Sequence, residues 1–252
     1  MRIVAIGGGE IGRPRGDGKG NYPIETLSID REIVRLAGKK HPKLLFLPTA
    51  SGDHPGYFPV IEKYFGKRLG CDVSALYLET KKYSEKTLRE MVMGADIIYV
   101  GGGNTLSMIR TWKRLGFDKV LREAVDRDIV LSGVSAGAVC WFKYANSDSR
   151  KKADGTGELS KIKCLNFLDL FTCPHYDAEL GRPESLKKMV YESGDSALAL
   201  DNCTAIEIIN DQFRILSSRR NANAYLLNRE GKKVVQRRIK KNKFQTISQL
   251  KR

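Results

Sequence analysis

Gly133-Val134-Ser135-Ala136-Gly137 is the sharpest chemical pattern in the chain. A Gly-x-Ser-x-Gly run placed after a β-branched strand and before small residues is the setting of a nucleophile elbow. The flanking glycines are expected to let the backbone turn sharply. The turn would lift the Ser135 hydroxyl above the sheet edge and aim the Ala136 N–H at an attacked carbonyl. A serine nucleophile needs a base of near-neutral pKa, and histidine supplies one. The chain has three histidines. His41 lies in a lysine-rich loop and His54 in another loop. His175 follows a strand and Pro174, so it shares the crevice expected for Ser135 and is the candidate base.

A histidine base needs a partner on its other ring nitrogen. Asp201 and Asn202 follow a short apolar strand, and Asp177 lies two residues past the histidine. Adjacent residues near a strand end point to opposite sides, so only one of Asp201 and Asn202 can readily face His175. An aspartate would stabilise the imidazolium by charge; an asparagine would set the tautomer through a dipole alone. The choice turns on strand register at one residue.

A second glycine run, Gly101-Gly102-Gly103-Asn104, also ends a strand. In a parallel sheet such carboxyl ends converge on the usual ligand crevice. The N–H of Gly102 or Gly103, with that of Ala136, would make a two-donor oxyanion hole. Asn104 closes the loop as a candidate substrate contact. A nucleotide site is disfavoured, since neither Gly-x-Gly-x-x-Gly nor Gly-x-x-x-x-Gly-Lys-[Ser/Thr] occurs.

The elements that must hold these residues follow from the pattern of apolar runs. Strands are expected at 2–6, 43–48, 72–78, 96–100, 128–132 and 167–172, with helices at 23–37, 57–68, 84–94, 105–115, 118–126 and 183–192. This alternation is the rhythm of β-α-β units around a parallel sheet. Short strands then follow from Ala197, as an antiparallel region at the C-terminus. The polar segments 12–21 and 146–163 read as long loops, either of which would cover the site or merely connect elements. The expectation is a three-layer α/β fold, a mostly parallel central sheet flanked by helices, in one domain over residues 1–252.

The 252 residues carry 44 Lys+Arg against 29 Asp+Glu, a net charge of +15. From Arg229 onward ten basic residues face one acid, so a tail from about residue 229 holds +9 and the body +6. The segment Arg237-Arg238-Ile239-Lys240-Lys241-Asn242-Lys243 admits a nucleic acid or an acidic partner, although no recognised nucleic-acid module is present. A solvated edge strand and a frayed terminus are the preferred explanation of it. No stretch approaches the ~20 apolar residues of a membrane span. Five cysteines without a Cys-x-x-Cys pair, and only three histidines, argue against a disulfide framework, a zinc site or a histidine-rich metal centre. A cytoplasmic protein with reduced thiols and no cofactor is expected, as monomer or homodimer.

Four motifs in order carry a resemblance: Leu47-Pro48-Thr49-Ala50-Ser51, Tyr99-Val100-Gly101-Gly102-Gly103-Asn104-Thr105, Gly133-Val134-Ser135-Ala136-Gly137-Ala138, and Pro174-His175-Tyr176 followed by Gly181-Arg182. Together they resemble peptidase E, the aspartyl dipeptidase family related to cyanophycinase and to the class I glutamine amidotransferase-like fold. The resemblance spans roughly residues 1–210. It implies a serine peptidase acting on small peptides with N-terminal aspartate, with Ser135 as nucleophile and His175 as base. It also implies Arg182 as a contact to the substrate carboxylate. The family's usual third residue, a glutamate, matches Asn202, with Asp201 one position before; this chain departs from the pattern there. A cyanophycinase-like β-aspartyl hydrolase and a non-catalytic module working through the basic tail are the alternatives.

Overall fold

The computed structural model describes residues 1–150 and 157–251. Fourteen strands among these residues form two sheets. The first is built on β1 (Arg2–Ile6), β2 (Lys43–Leu47), β3 (Asp72–Ala75), β4 (Ile97–Val100) and β5 (Val130–Val134). These five run parallel in the order β1-β5-β4-β2-β3. β1, β2, β4 and β5 are short and mainly apolar, as strands covered on both faces must be, whereas β3, Asp72-Val73-Ser74-Ala75, is the partly exposed edge.

The remaining strands are β6 (Phe142–Ser147), β7 (Ser160–Lys163), β8 (Leu168–Cys173), β9 (Ala197–Leu200), β10 (Thr204–Ile209), β11 (Gln212–Ser217), β12 (Ala224–Glu230), β13 (Lys233–Arg238) and β14 (Gln245–Thr246). β10, β11 and β14 extend the first sheet antiparallel from β1. The second sheet runs β13-β12-β9-β8-β6-β7, with β6, β8 and β9 parallel and the outer strands antiparallel.

Alternation along the parallel strands makes two cores from one sheet. Ile3, Leu45, Ile98 and Leu131 face one side, against α3 (Glu85–Met93), α4 (Thr105–Arg114) and α5 (Phe117–Val125). Val4, Leu44, Ile97 and Val130 face the other, against α1 (Leu27–Leu36) and α2 (Tyr57–Ile61), which continues as one π-helical stretch, Glu62–Arg68. The short α6 (Ala136–Val139) follows β5, and α7 (Arg182–Ser193) covers the second sheet through Leu186 and Val190.

Three sequence expectations change. The first helix starts at Leu27, because Ile24 is instead paired with Ile11 in an arm ahead of it. The expected loop 146–163 holds strand at both ends, the last residues of β6 and all of β7; its middle, 151–156, lies outside the described residues. Polar Asn146 hides β6, since its side chain is satisfied by Ser185 and Arg182 rather than by solvent. The basic segment 229–251 also takes regular structure. It ends β12, forms β13 and β14, and brings Leu250 into the core at 1% exposure.

Candidate active site

Ser135 leaves β5 with φ 56° and ψ −116°. A non-glycine residue held there stores about 1–3 kcal/mol of strain, which the surroundings must enforce. They do so through backbone bonds. Ser135 N–H donates to the Ile6 carbonyl at 3.0 Å, and its own carbonyl accepts from Ala138 and Val139 as α6 begins.

The two glycines of the elbow act differently from expectation. Neither has a positive φ; the sharp turn is made by Ser135 itself. Their work is close approach. A Cβ on Gly133 would lie 2.5 Å from the Gly137 oxygen, and one on Gly137 would lie 2.1 Å from the Val100 oxygen. Without side chains there, α6 seats directly on β4 and β5.

His175 follows β8 and Pro174, with φ 49°. Its N–H donates to the Gly7 carbonyl at 3.1 Å, tying it to the end of β1. Nε2 lies 2.8 Å from Ser135 Oγ, and Nδ1 lies 2.6 Å from Asn202 Oδ1. A carbonyl oxygen at Nδ1 can only accept, so Nδ1 carries the proton and Nε2 is left free to take the serine proton. Asn202 is held in turn by its backbone N–H, which donates to Asp177 Oδ1 at 2.7 Å.

Asp201 faces away, as alternation requires. It is 4% exposed, and its Oδ2 accepts from the Asn223 N–H at 2.8 Å. Burial pushes its carboxyl up to about 6. Of the three candidates for the histidine's partner, the structure thus brings Asn202 to the ring, puts Asp177 behind Asn202, and spends Asp201 on the turn before β12.

The Gly101–Asn104 loop lies beside the serine. A Cβ on Gly102 would stand 3.4 Å from Ser135 Cβ. The Gly102 N–H donates to Tyr57 Oη at 3.1 Å. Ala136 opens α6, where an N–H has no acceptor in its own helix. Gly103 has φ 141°, and a Cβ there would collide with the Ala50 oxygen at 2.1 Å. Asn104 is occupied with structure: its Oδ1 caps α4 at Ser107 N–H and its Nδ2 donates to the Ser149 carbonyl.

Arg182 does not present itself to a substrate. It is 2% exposed, with Nη1 on the Asn146 carbonyl at 2.6 Å and Nε on Glu179 Oε2 at 2.7 Å. It joins the start of α7 to β6. The expected carboxylate contact is a packing residue, because the helix turns this side chain inward.

Two neighbours of the site had no place in the sequence reading. A Cβ on Gly8 would meet Asn202 Oδ1 at 2.0 Å and His175 Nδ1 at 2.3 Å. Gly7-Gly8-Gly9 ends a strand as Gly101-Gly102-Gly103 does, and that parallel was the available signal. Tyr57 had none; it reaches Gly102 only through the fold.

A strained serine, a histidine 2.8 Å from its hydroxyl and a side-chain oxygen on the far ring nitrogen come together at the carboxyl edge of an α/β sheet, a geometry that suits a hydrolase. The comparisons with known proteins agree on the class. The model of peptidase family S51 matches residues 18–216. The chain is 37% identical to YgaJ, an uncharacterized peptidase of Bacillus subtilis, over 89% of this chain and 90% of that protein. It is 27% identical to a Drosophila melanogaster protein named a probable alpha-aspartyl dipeptidase, over 75% of this chain and 77% of that one. In three dimensions it is similar to a peptidase from an acI-B1 Actinobacterium, with TM-score 0.71 and 16% identity over 97% of this chain and 96% of that one, which shows the fold. The chain belongs to peptidase family S51 and is a peptidase. No helix among the described residues is long and apolar enough to cross a membrane.

Proposed function

We propose that this chain is a serine peptidase that hydrolyses dipeptides or short peptides with N-terminal aspartate through an acyl-enzyme. The observation that carries this is the unbroken line Ser135 Oγ, His175 Nε2, His175 Nδ1, Asn202 Oδ1, with both spacings under 3 Å. The family match supports a peptide substrate, and the dipeptidase name of the Drosophila relative supports an aspartyl one.

In this mechanism Ser135 Oγ attacks the scissile carbonyl while His175 Nε2 takes its proton. The N–H groups of Ala136 and of Gly102 or Gly103 stabilise the oxyanion. Use of Gly102 requires its N–H to exchange Tyr57 Oη for the oxyanion. His175 then protonates the leaving amine, and water hydrolyses the ester by the same steps. Asn202 keeps the tautomer that leaves Nε2 basic and faces the imidazolium with its amide dipole.

The test is hydrolysis of an Asp-Leu dipeptide by the intact chain and by Ser135→Ala. The variant is expected to keep its circular dichroism spectrum and lose turnover by about 10⁴-fold or more. A wild-type chain that neither cleaves the dipeptide nor is labelled by a serine-directed acylating probe sinks the proposal. A β-aspartyl isomer run alongside identifies the linkage, and faster cleavage of it favours the cyanophycinase-like chemistry.

A further inference from the structure

With Arg182 buried, an acidic substrate side chain needs another cation at the site. The structure has one on the arm that leaves the end of β1. Glu10 N–H donates to Glu25 Oε2 at 3.0 Å, and Glu25 N–H donates back to the Glu10 carbonyl at 2.7 Å. Antiparallel bridges Ile11–Ile24 and Pro14–Asn21 then stiffen the arm above this root.

The root is at the catalytic rim. Glu10 is two residues past Gly8, whose backbone lies against His175 Nδ1 and Asn202 Oδ1. Tyr57, whose hydroxyl accepts from Gly102 beside Ser135, feels the charges of this root. Burial raises the Tyr57 phenol, and the charges of Glu10 and Arg13 act on it in opposite directions. Glu10 therefore follows directly on the glycine loop that borders the His175–Asn202 pair.

Arg13 is joined to Glu10 by paired bonds, Nε to Oε2 at 2.9 Å and Nη2 to Oε1 at 2.8 Å. Its guanidinium stacks on the Tyr22 ring, 4.3 Å from the centroid. The side chains are 52% exposed for Arg13 and 25% for Glu10. A rigid anion–cation pair thus stands at the rim, open to solvent.

An N-terminal aspartate carries the mirror image of this pair, an α-ammonium next to a β-carboxylate. We propose that Glu10 and Arg13 are the specificity clamp for the substrate's N-terminal residue, Glu10 taking the ammonium and Arg13 the carboxylate. This rests on the peptidase function proposed above and adds the residues that choose its substrate. The planar guanidinium suits two-point capture of a carboxylate, and the Tyr22 ring limits its motion. Binding exchanges one internal ion pair for two with the ligand, so no charge is left unpaired.

Binding separates this inference from turnover. Asp-Leu and the uncharged isostere Asn-Leu are titrated calorimetrically into the Ser135→Ala chain, with and without Arg13→Ala. The Ser135→Ala chain is expected to prefer Asp-Leu. Arg13→Ala should weaken Asp-Leu by about tenfold to a hundredfold and leave Asn-Leu unchanged, while Arg13→Lys recovers part of the loss. An N-acetylated Asp-Leu should lose the Glu10 contact and bind equally to Glu10→Gln and its parent. Equal loss for Asp-Leu and Asn-Leu in Arg13→Ala, no loss for either, or no preference for Asp-Leu in the parent overturns the clamp. These readings do not use catalysis, so they stand apart from a failure of the wild type to hydrolyse.

Discussion

Asn202 and Asp201 are adjacent in sequence, and only the neutral one reaches His175. An aspartate on Nδ1 would stabilise the imidazolium by charge; Asn202 offers an amide dipole at 2.6 Å. The tautomer is still correct, because the asparagine oxygen can only accept. Asn202→Ala is therefore expected to lower kcat by about 10²–10³-fold, as the ring loses its orientation. Asn202→Asp should retain activity, since it keeps the acceptor and adds charge. Asp201→Asn should leave kcat within about threefold, because its carboxylate bonds the Asn223 N–H and not the ring. Steady-state kinetics on the three variants checks this, and the reverse ranking would reassign the partner. Ser135 and His175 were legible as residues because each has a strong local context. The partner was not, because one residue of register reverses the side it faces.

At the scale of elements, the site is held by close backbone approach between segments distant in sequence. Gly137 lies against the Val100 oxygen at the end of β4, and Gly8 lies against the His175–Asn202 pair. In both places the contact is an ordered group that cannot rotate away cheaply. Gly137→Ala is expected to destabilise the chain by about 1–3 kcal/mol through overpacking. It should also slow labelling of Ser135 by an acylating probe, because α6 must lift from β4 and carry the elbow with it. A denaturant midpoint together with the labelling rate tests both; an unchanged midpoint would mean that α6 does not rest on β4 as described. The apolar periodicity announced the strands and helices of the parallel half. β6 and β7 escaped it because their polar residues are satisfied by tertiary partners, Asn146 by Arg182 above all. The glycines were visible as turn formers, whereas their work is to omit a Cβ at a contact that exists only after folding.

The molecule as a whole carries a buried acid that links stability to pH. Asp30 on α1 is fully buried; its Oδ2 accepts from Thr26 Oγ1 at 2.6 Å and Tyr64 Oη at 2.8 Å, and its Oδ1 has no partner. Burial pushes its carboxyl up to about 7 from 3.8. The folded state thus holds a proton that the unfolded chain has released between those values. Its contribution is most favourable below about pH 4 and is lost as pH rises through 7, on the order of 4 kcal/mol in all. The melting temperature is expected to fall between pH 5 and pH 8, and Asp30→Asn should flatten that fall, its amide oxygen still accepting from Thr26 and Tyr64. An equal pH slope in the variant would remove Asp30 as the cause. The basic end of the chain also belongs to the whole. Gln236 Oε1 accepts from Tyr176 Oη at 2.7 Å, one residue from the candidate base, and β13 completes the edge of the second sheet. Arg229, Lys233, Arg237 and Arg238 stand on β12 and β13 rather than on a detachable tail.

By itself the sequence determined the α/β class, the turn at Ser135 and which of three histidines comes to lie beside it. Each is written in a local pattern: strand periodicity, glycine spacing, a histidine at a strand's end. Tertiary structure alone decided that Asn202 rather than Asp201 meets the imidazole, that Arg182 is buried, and that Gly8 and Tyr57 border the site. These depend on distances between segments far apart in the chain, and such distances are set only when the strands register and the helices pack.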